Sequence, residues 1–121
     1  MARVLIVDDN PALASTLAEY VETSGHEVTM ASNGKEAVDC FRETDFDIAF
    51  MDIQMPVMNG IDSFYEIRKV RPGARVVLMT GTPEPTLQQV LKSGALGLLR
   101  KPFETPALLA LLKGVVTPAV L

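Results

Sequence analysis

The chain has one cysteine, one histidine and no stretch of clustered basic residues. Cys40 cannot close an internal disulfide and has no second thiol for a metal pair, which fits a reducing compartment. A satisfied, mostly buried thiol is the plain expectation for it. His26 lies beside Gly25 in a turn entering an apolar run and reads as a turn residue. Lys and Arg number 11 against 15 Asp and Glu, for a net charge of −4. The basic residues are scattered, so the electrostatic footprint of direct nucleic-acid binding is missing. If the protein affects genes, something else touches the DNA. No apolar run approaches the length needed to cross a bilayer. Met1-Ala2-Arg3 leads straight into an apolar segment, without the charged, apolar and small-residue order of a signal peptide. No membrane role is expected, and the cytoplasm is the expected location. Repeats, low-complexity tracts and linkers are lacking too. The 121 residues therefore read as one domain, long enough to bury a core without staples.

What is present is an ordinary globular composition, 48% hydrophobic and 21% charged. Five short apolar runs alternate with helical patterns, the signature of strand-crossover-strand units and a parallel sheet. Strands are expected near residues 3–7, 27–31, 47–51, 75–79 and 97–100. Asn10 can cap a first helix carrying Pro11 in its first turn, with Leu13, Leu17 and Val21 as its inner face and Gly25 as its stop. Asn33 and Glu36 stand at capping-box spacing before a second helix buried through Ala37, Val38 and Phe41. A third helix is expected over Ile61 to Val70, ended by Arg71-Pro72-Gly73. Leu87, Val90 and Leu91 mark the inner face of a fourth, stopped by Gly94. A fifth runs from about Glu104 to Val116, with Lys113 as its only basic residue.

Two of the apolar runs end in acid: Val4 to Val7 in Asp8-Asp9, and Ile48 to Met51 in Asp52. With right-handed crossovers every strand-to-helix loop opens on one edge of the sheet, and Asp8, Asp9, Asp52, Thr80 and Lys101 all lie at that edge. Ligand sites in open α/β sheets form there, where the strand order reverses. If the order is 2-1-3-4-5, strands one and three are neighbours and their acids share a pocket. Two carboxylates 4 Å apart repel by about 1 kcal/mol in water and about 4 kcal/mol near a protein surface. Either a proton is taken up or a cation balances them, and one lysine leaves a deficit that a divalent ion would fill. Hard oxygen donors without His or Cys favour Mg²⁺, which bridges readily to phosphate. The bland alternative is a solvated rim in which each acid caps the following helix. Met51, Met55 and Met58 cluster around Asp52, where packing explains them better than metal binding by thioether sulfur.

Asp8-Asp9, the stretch MDIQMPVMNG, the strand-ending Thr80 and Lys101-Pro102-Phe103 together make the chain resemble the receiver domain of two-component response regulators. The resemblance covers the whole chain. It implies a flavodoxin-like doubly wound α/β sandwich of five parallel strands in the order 2-1-3-4-5 with five helices. It also implies Mg²⁺ dependence and a sensor histidine kinase or histidine phosphotransfer protein as phosphoryl donor, since His26 is no plausible phosphohistidine of the chain's own. Asp52 would be the phosphoacceptor. Asp8, Asp9, Asp52 and the backbone carbonyl of Gln54 would hold the metal. Lys101 and Thr80 would bind phosphoryl oxygens, with Gly81 leaving room for the group, and Pro102 would follow a cis peptide that helps aim Lys101. The chain would assist its own phosphorylation and slow dephosphorylation without being an enzyme.

The resemblance also implies a switch through Thr80 that reshapes the face formed by the fourth helix, fifth strand and fifth helix. Where the family usually has an aromatic residue that swings inward, this chain has Leu98, so the signal is expected to run mainly through the loop at Gly81 to Pro85. The last helix is apolar beyond one stripe: its plain reading is core, with one face packed on the sheet, and the surplus suggests a docking or self-association face through which a homodimer could form. A small Mg²⁺-dependent phosphatase with an aspartyl nucleophile would want an acid where Gln54 stands. A flavin-binding module would be repelled by Asp8-Asp9-Asn10. Gln54 and Thr82 occupy positions that influence acyl phosphate lifetime in the family. A single receiver domain without an effector domain is the expected organisation, either as a stand-alone relay or as part of a larger regulator.

Overall fold

The computed structural model of the protein describes residues 1–82, 87–101, 108–110 and 112. Along the chain run β1 (Arg3–Val7), α1 (Pro11–Thr23), β2 (Glu27–Ala31), α2 (Gly34–Glu43), β3 (Ile48–Asp52), α3 (Gly60–Val70), β4 (Val76–Thr80), α4 (Leu87–Lys92) and β5 (Gly97–Arg100). Residues 108–110 and 112 are helical as well. The five strands form one parallel sheet in the order β2-β1-β3-β4-β5. This is the doubly wound arrangement expected from the alternating apolar runs.

The sheet is buried on both faces, and the two-residue alternation of strand side chains sorts the core into two layers. Leu5, Val7, Ala49, Met51, Val76 and Leu78 pack under α2, α3 and α4 with Phe41, Phe64, Ile67 and Val90. Val4, Ile6, Ile48, Phe50, Val77 and Met79 face the other way, onto Leu17, Ala18 and Val21 of α1 and onto Leu108 and Leu112. α1 therefore lies on one face, and α2 to α4 on the opposite one.

The helix starts follow from their caps. Asn10 Oδ1 accepts from the N–H groups of Ala12 and Leu13 at 3.1 and 3.2 Å, with Pro11 opening α1. Asn33 accepts from Glu36 N at 2.9 Å, but the return leg differs from a simple capping box. Glu36 Oε2 takes the Ser32 N–H at 2.9 Å and the Ser32 hydroxyl. Those bonds hold the Glu36 carboxyl below the usual range. Asn59 caps α3 by accepting from Asp62 N at 2.9 Å, so α3 begins at Gly60, one residue before the expected start.

Three expectations need correction. β3 and β4 each sit one residue later than the apolar runs suggest, because the ladder continues past them: Asp52 pairs with Met79, and Ile53 N donates to Met79 O at 2.8 Å. Asp52 and Thr80 are thus the last residues of their strands, as the strand-ending reading of both has it. Leu13 is only half-buried, since Ala14 and Ala18 share the inner face of α1 with Leu17 and Val21. Leu91 is 47% exposed, because Val90 takes the inward position on α4 and the next residue is turned about 100° away. The Leu87 side chain, the loop residues 83–86, Pro102 and its peptide bond, Lys113 and the rest of the expected last helix lie outside the described residues.

Candidate functional site

The strand order reverses between β1 and β3: α1 leaves β1 toward one face, while α3 leaves β3 toward the other. Their loops diverge and open a crevice at the C-terminal edge of the sheet. Asp8 and Asp9 follow β1, Asp52 ends β3, Thr80 ends β4 and Lys101 follows β5, so one edge receives all five. Asp8 and Asp52 are 2% and 5% exposed, whereas Asp9 is open to solvent.

Asp8 and Asp52 are held in the same way. Asp8 Oδ1 accepts from Asn10 N at 2.9 Å, and Asp52 Oδ1 accepts from Gln54 N at 3.2 Å. In each case one oxygen is fixed by the backbone two residues on, a local turn that Asp forms readily. The second oxygens converge on one ammonium: Lys101 Nζ donates to Asp8 Oδ2 at 2.9 Å and to Asp52 Oδ2 at 3.2 Å. Lys101 is itself placed by β5, its N–H donating to Thr80 O at 2.7 Å. It is a half-buried bridge between two strand ends, not a solvated surface lysine.

One charge shared by two buried carboxylates leaves the pocket acidic. Burial pushes the Asp52 carboxyl above the usual aspartate range; Lys101 pulls it down, the Asp8 charge adds to the rise, and the net direction is upward. Burial alone would lower the Lys101 ammonium, but its bond to Asp8 and the charges of Asp52 and Asp8 outweigh this and raise it. One oxygen from each of Asp8, Asp9 and Asp52 lies within 4.8 Å of the others. Three carboxylates at that spacing, with no His or Cys among them, suit a hard divalent cation. A cavity of about 290 Å³ beside them is lined by Asp8, Asp9, Pro11, Met30, Ser32 and Glu36 among others.

Thr80 is fully buried, and its hydroxyl is occupied within the chain. It donates to Gln54 Oε1 at 3.2 Å, accepts from Thr82 N at 3.2 Å and lies 3.0 Å from Thr82 Oγ1. Gln54 Nε2 donates to Thr82 Oγ1 at 3.4 Å, and Arg100 Nη1 holds Thr82 O at 2.8 Å. A Cβ on Gly81 would meet nothing within 4 Å among the described residues. Leu98 is half-buried and packs against the core layer that contains Leu78 and Val90.

Sequence reasoning missed the side-chain role of Gln54, the anchor at Arg100 and the need for Gly60. Only the last had a readable signal: a glycine directly after the capping Asn59 is a poor helix starter unless something lies close against it. His26 Nδ1 accepts from Ala2 N at 3.0 Å, which makes it a clamp on the start of β1, at the opposite end of that strand from Asp8. Cys40 is free and half-buried, and burial followed by the charges of Glu36, Glu43 and Asp39 raises its thiol. Met51 is buried, and Met55 packs against the core.

Fold and site together define a doubly wound parallel α/β domain with a lysine-bridged acidic pocket at its switch point. The chain belongs to the response regulator receiver domain family, whose model matches residues 4–113. It is 40% identical over 112 residues to a response regulator receiver protein of Anaeromyxobacter sp., covering 92% of this chain but 47% of that protein. It is 34% identical over 116 residues to the chemotaxis protein CheY of Halobacterium salinarum, covering 95% and 97% of the two chains. Among solved structures, the response regulator protein TrrA of Thermotoga maritima in complex with Mg²⁺ and beryllium fluoride matches with a TM-score of 0.86. It is 30% identical, and the match covers 95% of this chain and 99% of that one. The protein thus works in two-component signal transduction, in which an aspartate is phosphorylated. No helix among the described residues is long and apolar enough to cross a membrane.

Proposed function

We propose that Asp52 accepts a phosphoryl group from a phosphohistidine of a sensor histidine kinase or histidine phosphotransfer protein, with Mg²⁺ as cofactor. The observation that carries this reading is the convergence of Asp8 and Asp52 on one Lys101 ammonium at 2.9 and 3.2 Å, with Asp9 close by. Asp8, Asp9, Asp52 and the backbone carbonyl of Gln54 would hold the ion. Bound there, Mg²⁺ supplies the positive charge that lets the acids and an incoming phosphoryl group share the pocket. The T. maritima relative, solved in complex with Mg²⁺ and beryllium fluoride, supports a Mg²⁺-dependent reading.

In the transfer, an Asp52 carboxylate oxygen attacks phosphorus and forms the acyl phosphate O–P bond. The P–N bond to the donor histidine breaks, and its electron pair returns to the imidazole nitrogen. Lys101 turns its ammonium to a phosphoryl oxygen as Asp52 loses charge at Oδ2, and Thr80 donates its hydroxyl to another. Both groups stand at strand ends, but each must exchange a partner first: Lys101 leaves Asp52 Oδ2, and Thr80 gives up its bond to Gln54 Oε1. The chain thereby assists its own phosphorylation, and slow attack of water on the acyl phosphate resets it.

The signal then passes from Thr80 through the following loop, of which residues 83–86 lie outside the described ones, to the face of α4 and β5. Leu91 and Leu96 leave exposed apolar surface in that region. We assign that face to partner binding or to a homodimer, residues 1–121 to a single receiver domain, and the exchange to the cytoplasm.

Acetyl phosphate with Mg²⁺ tests the reading. Intact-mass measurement should show a covalent adduct on the wild-type protein and none on Asp52→Asn, with no turnover of free phosphoesters beyond slow self-hydrolysis. An adduct that persists on Asp52→Asn would place the acceptor elsewhere.

A further inference from the structure

We infer that the Gln54 side chain is a positioning residue that holds the Thr80 hydroxyl in the free protein, so that Gln54 and the phosphoryl group compete for the same proton donor. The inference rests on the phosphoacceptor reading above and deepens it. Three side-chain contacts close into a ring with one consistent set of donors. Gln54 Nε2 donates to Thr82 Oγ1, Thr82 Oγ1 donates to Thr80 Oγ1, and Thr80 Oγ1 donates to Gln54 Oε1, at 3.4, 3.0 and 3.2 Å. A hydroxyl carries a single donor proton. Thr80 cannot give that proton to a phosphoryl oxygen while Gln54 Oε1 keeps it, so the ring must open for the switch to move.

Two further features favour this role over incidental packing. Thr82 is anchored by Arg100 Nη1 on its carbonyl at 2.8 Å, so β5 holds the far side of the ring in register with β4. Gln54 itself is exposed and borders a groove of about 470 Å³ between α3 and α4, lined by Ile61, Tyr65, Leu78 and Val90 among others. The carboxamide therefore has space to swing into once Thr80 has left it.

The test is a double-mutant cycle read by beryllofluoride binding in Mg²⁺, followed through the amide NMR signals of Gly81 and Thr82. Gln54→Met keeps the length of the side chain and the backbone carbonyl but removes the acceptor. It should bind beryllofluoride about two- to tenfold more tightly, the range of one net hydrogen bond. Without the mimic, its Gly81 and Thr82 signals should already lie part-way toward their bound positions. Thr80→Val should bind more weakly, and adding Gln54→Met to it should bring no gain. Equal or weaker binding by Gln54→Met, or the same gain with Val at position 80, would overturn the inference. A wild-type protein that ignores beryllofluoride would instead overturn the phosphoacceptor reading, and this inference with it.

Discussion

Gly60 and Asp52 meet backbone to backbone: a Cβ on Gly60 would run into the Asp52 carbonyl oxygen and lie 2.8 Å from Ile53 Cα. The Gly60 N–H also donates to Ile53 O at 2.9 Å, which stitches the first turn of α3 to the end of β3. Gly60→Ala gains helix propensity, but it must push apart two backbones that cannot yield as a flexible side chain would. The expected cost is about 1–3 kcal/mol, with weaker Mg²⁺ binding because Asp52 and the Gln54 carbonyl shift together. Urea unfolding and a Mg²⁺ titration check this. Wild-type values on both counts would show that the approach is looser than the geometry implies.

Asp52 should destabilise the protein that it serves. Burial, aided by the Asp8 charge and opposed by Lys101, leaves its folded-state pKa raised. A carboxyl of this kind takes up a proton on folding. Stability therefore falls as pH rises from the unfolded value of about 3.9 through the raised folded value, and above both the ionised form carries the whole penalty. In metal-free buffer at neutral pH, Asp52→Asn should melt at a higher temperature than the wild type, and the gap should close on acidification. Mg²⁺ should reverse the order by stabilising the wild type more, since a ligand of the native state adds stability through its own affinity. Thermal melts with and without the ion, across pH, decide the matter.

Lys101→Met leaves two buried carboxylates facing each other without their ammonium. Removing one partner of a buried pair costs about 3–5 kcal/mol. The Lys101 side chain is 23% exposed, so solvent screening reduces the expected loss to about 1–3 kcal/mol. The ammonium pKa is raised in the fold. Its contribution is therefore full below the unfolded lysine value of about 10.4 and lost as pH climbs through the folded one. At the acid end the loss should shrink again as the carboxylates protonate. A difference between variant and wild type that stays constant from neutral pH into acid would contradict the pairing.

Much of this pocket could be read before any coordinates, because it depends on where apolar runs stop. Val4 to Val7 and Ile48 to Met51 are buried strands, and the residues that follow such runs in a right-handed parallel sheet must share an edge. What could not be read depends on register. Gln54 meets Thr80 only because Asp52 pairs with Met79, a match between residues far apart in the chain that no local pattern encodes. Arg100 reaches Thr82 for the same reason, through pairing of β5 with β4. Leu91 fails differently: on a short helix such as α4, two adjacent apolar residues compete for one inward position, and composition does not say which wins.

Val57 is where the loop between Asp52 and α3 carries strain. Its φ is 72°, and Met58 N donates to Pro56 O at 2.8 Å across it, which makes the turn the rarer, strained hand of the three-residue type. A β-branched residue is a poor choice there, since left-handed backbone at a non-glycine position costs about 1–3 kcal/mol. The side chain is 83% exposed, so packing returns little. Val57→Gly removes the clash at the expense of about 0.5–1 kcal/mol of unfolded-chain freedom. The net expectation is a gain of about 1 kcal/mol in urea unfolding with an unchanged denaturant slope. Val57→Asn should also stabilise, because Asn enters this region more readily than any branched residue. A loss of stability in both variants would mean that the valine side chain supports the loop in a way its exposure does not reveal.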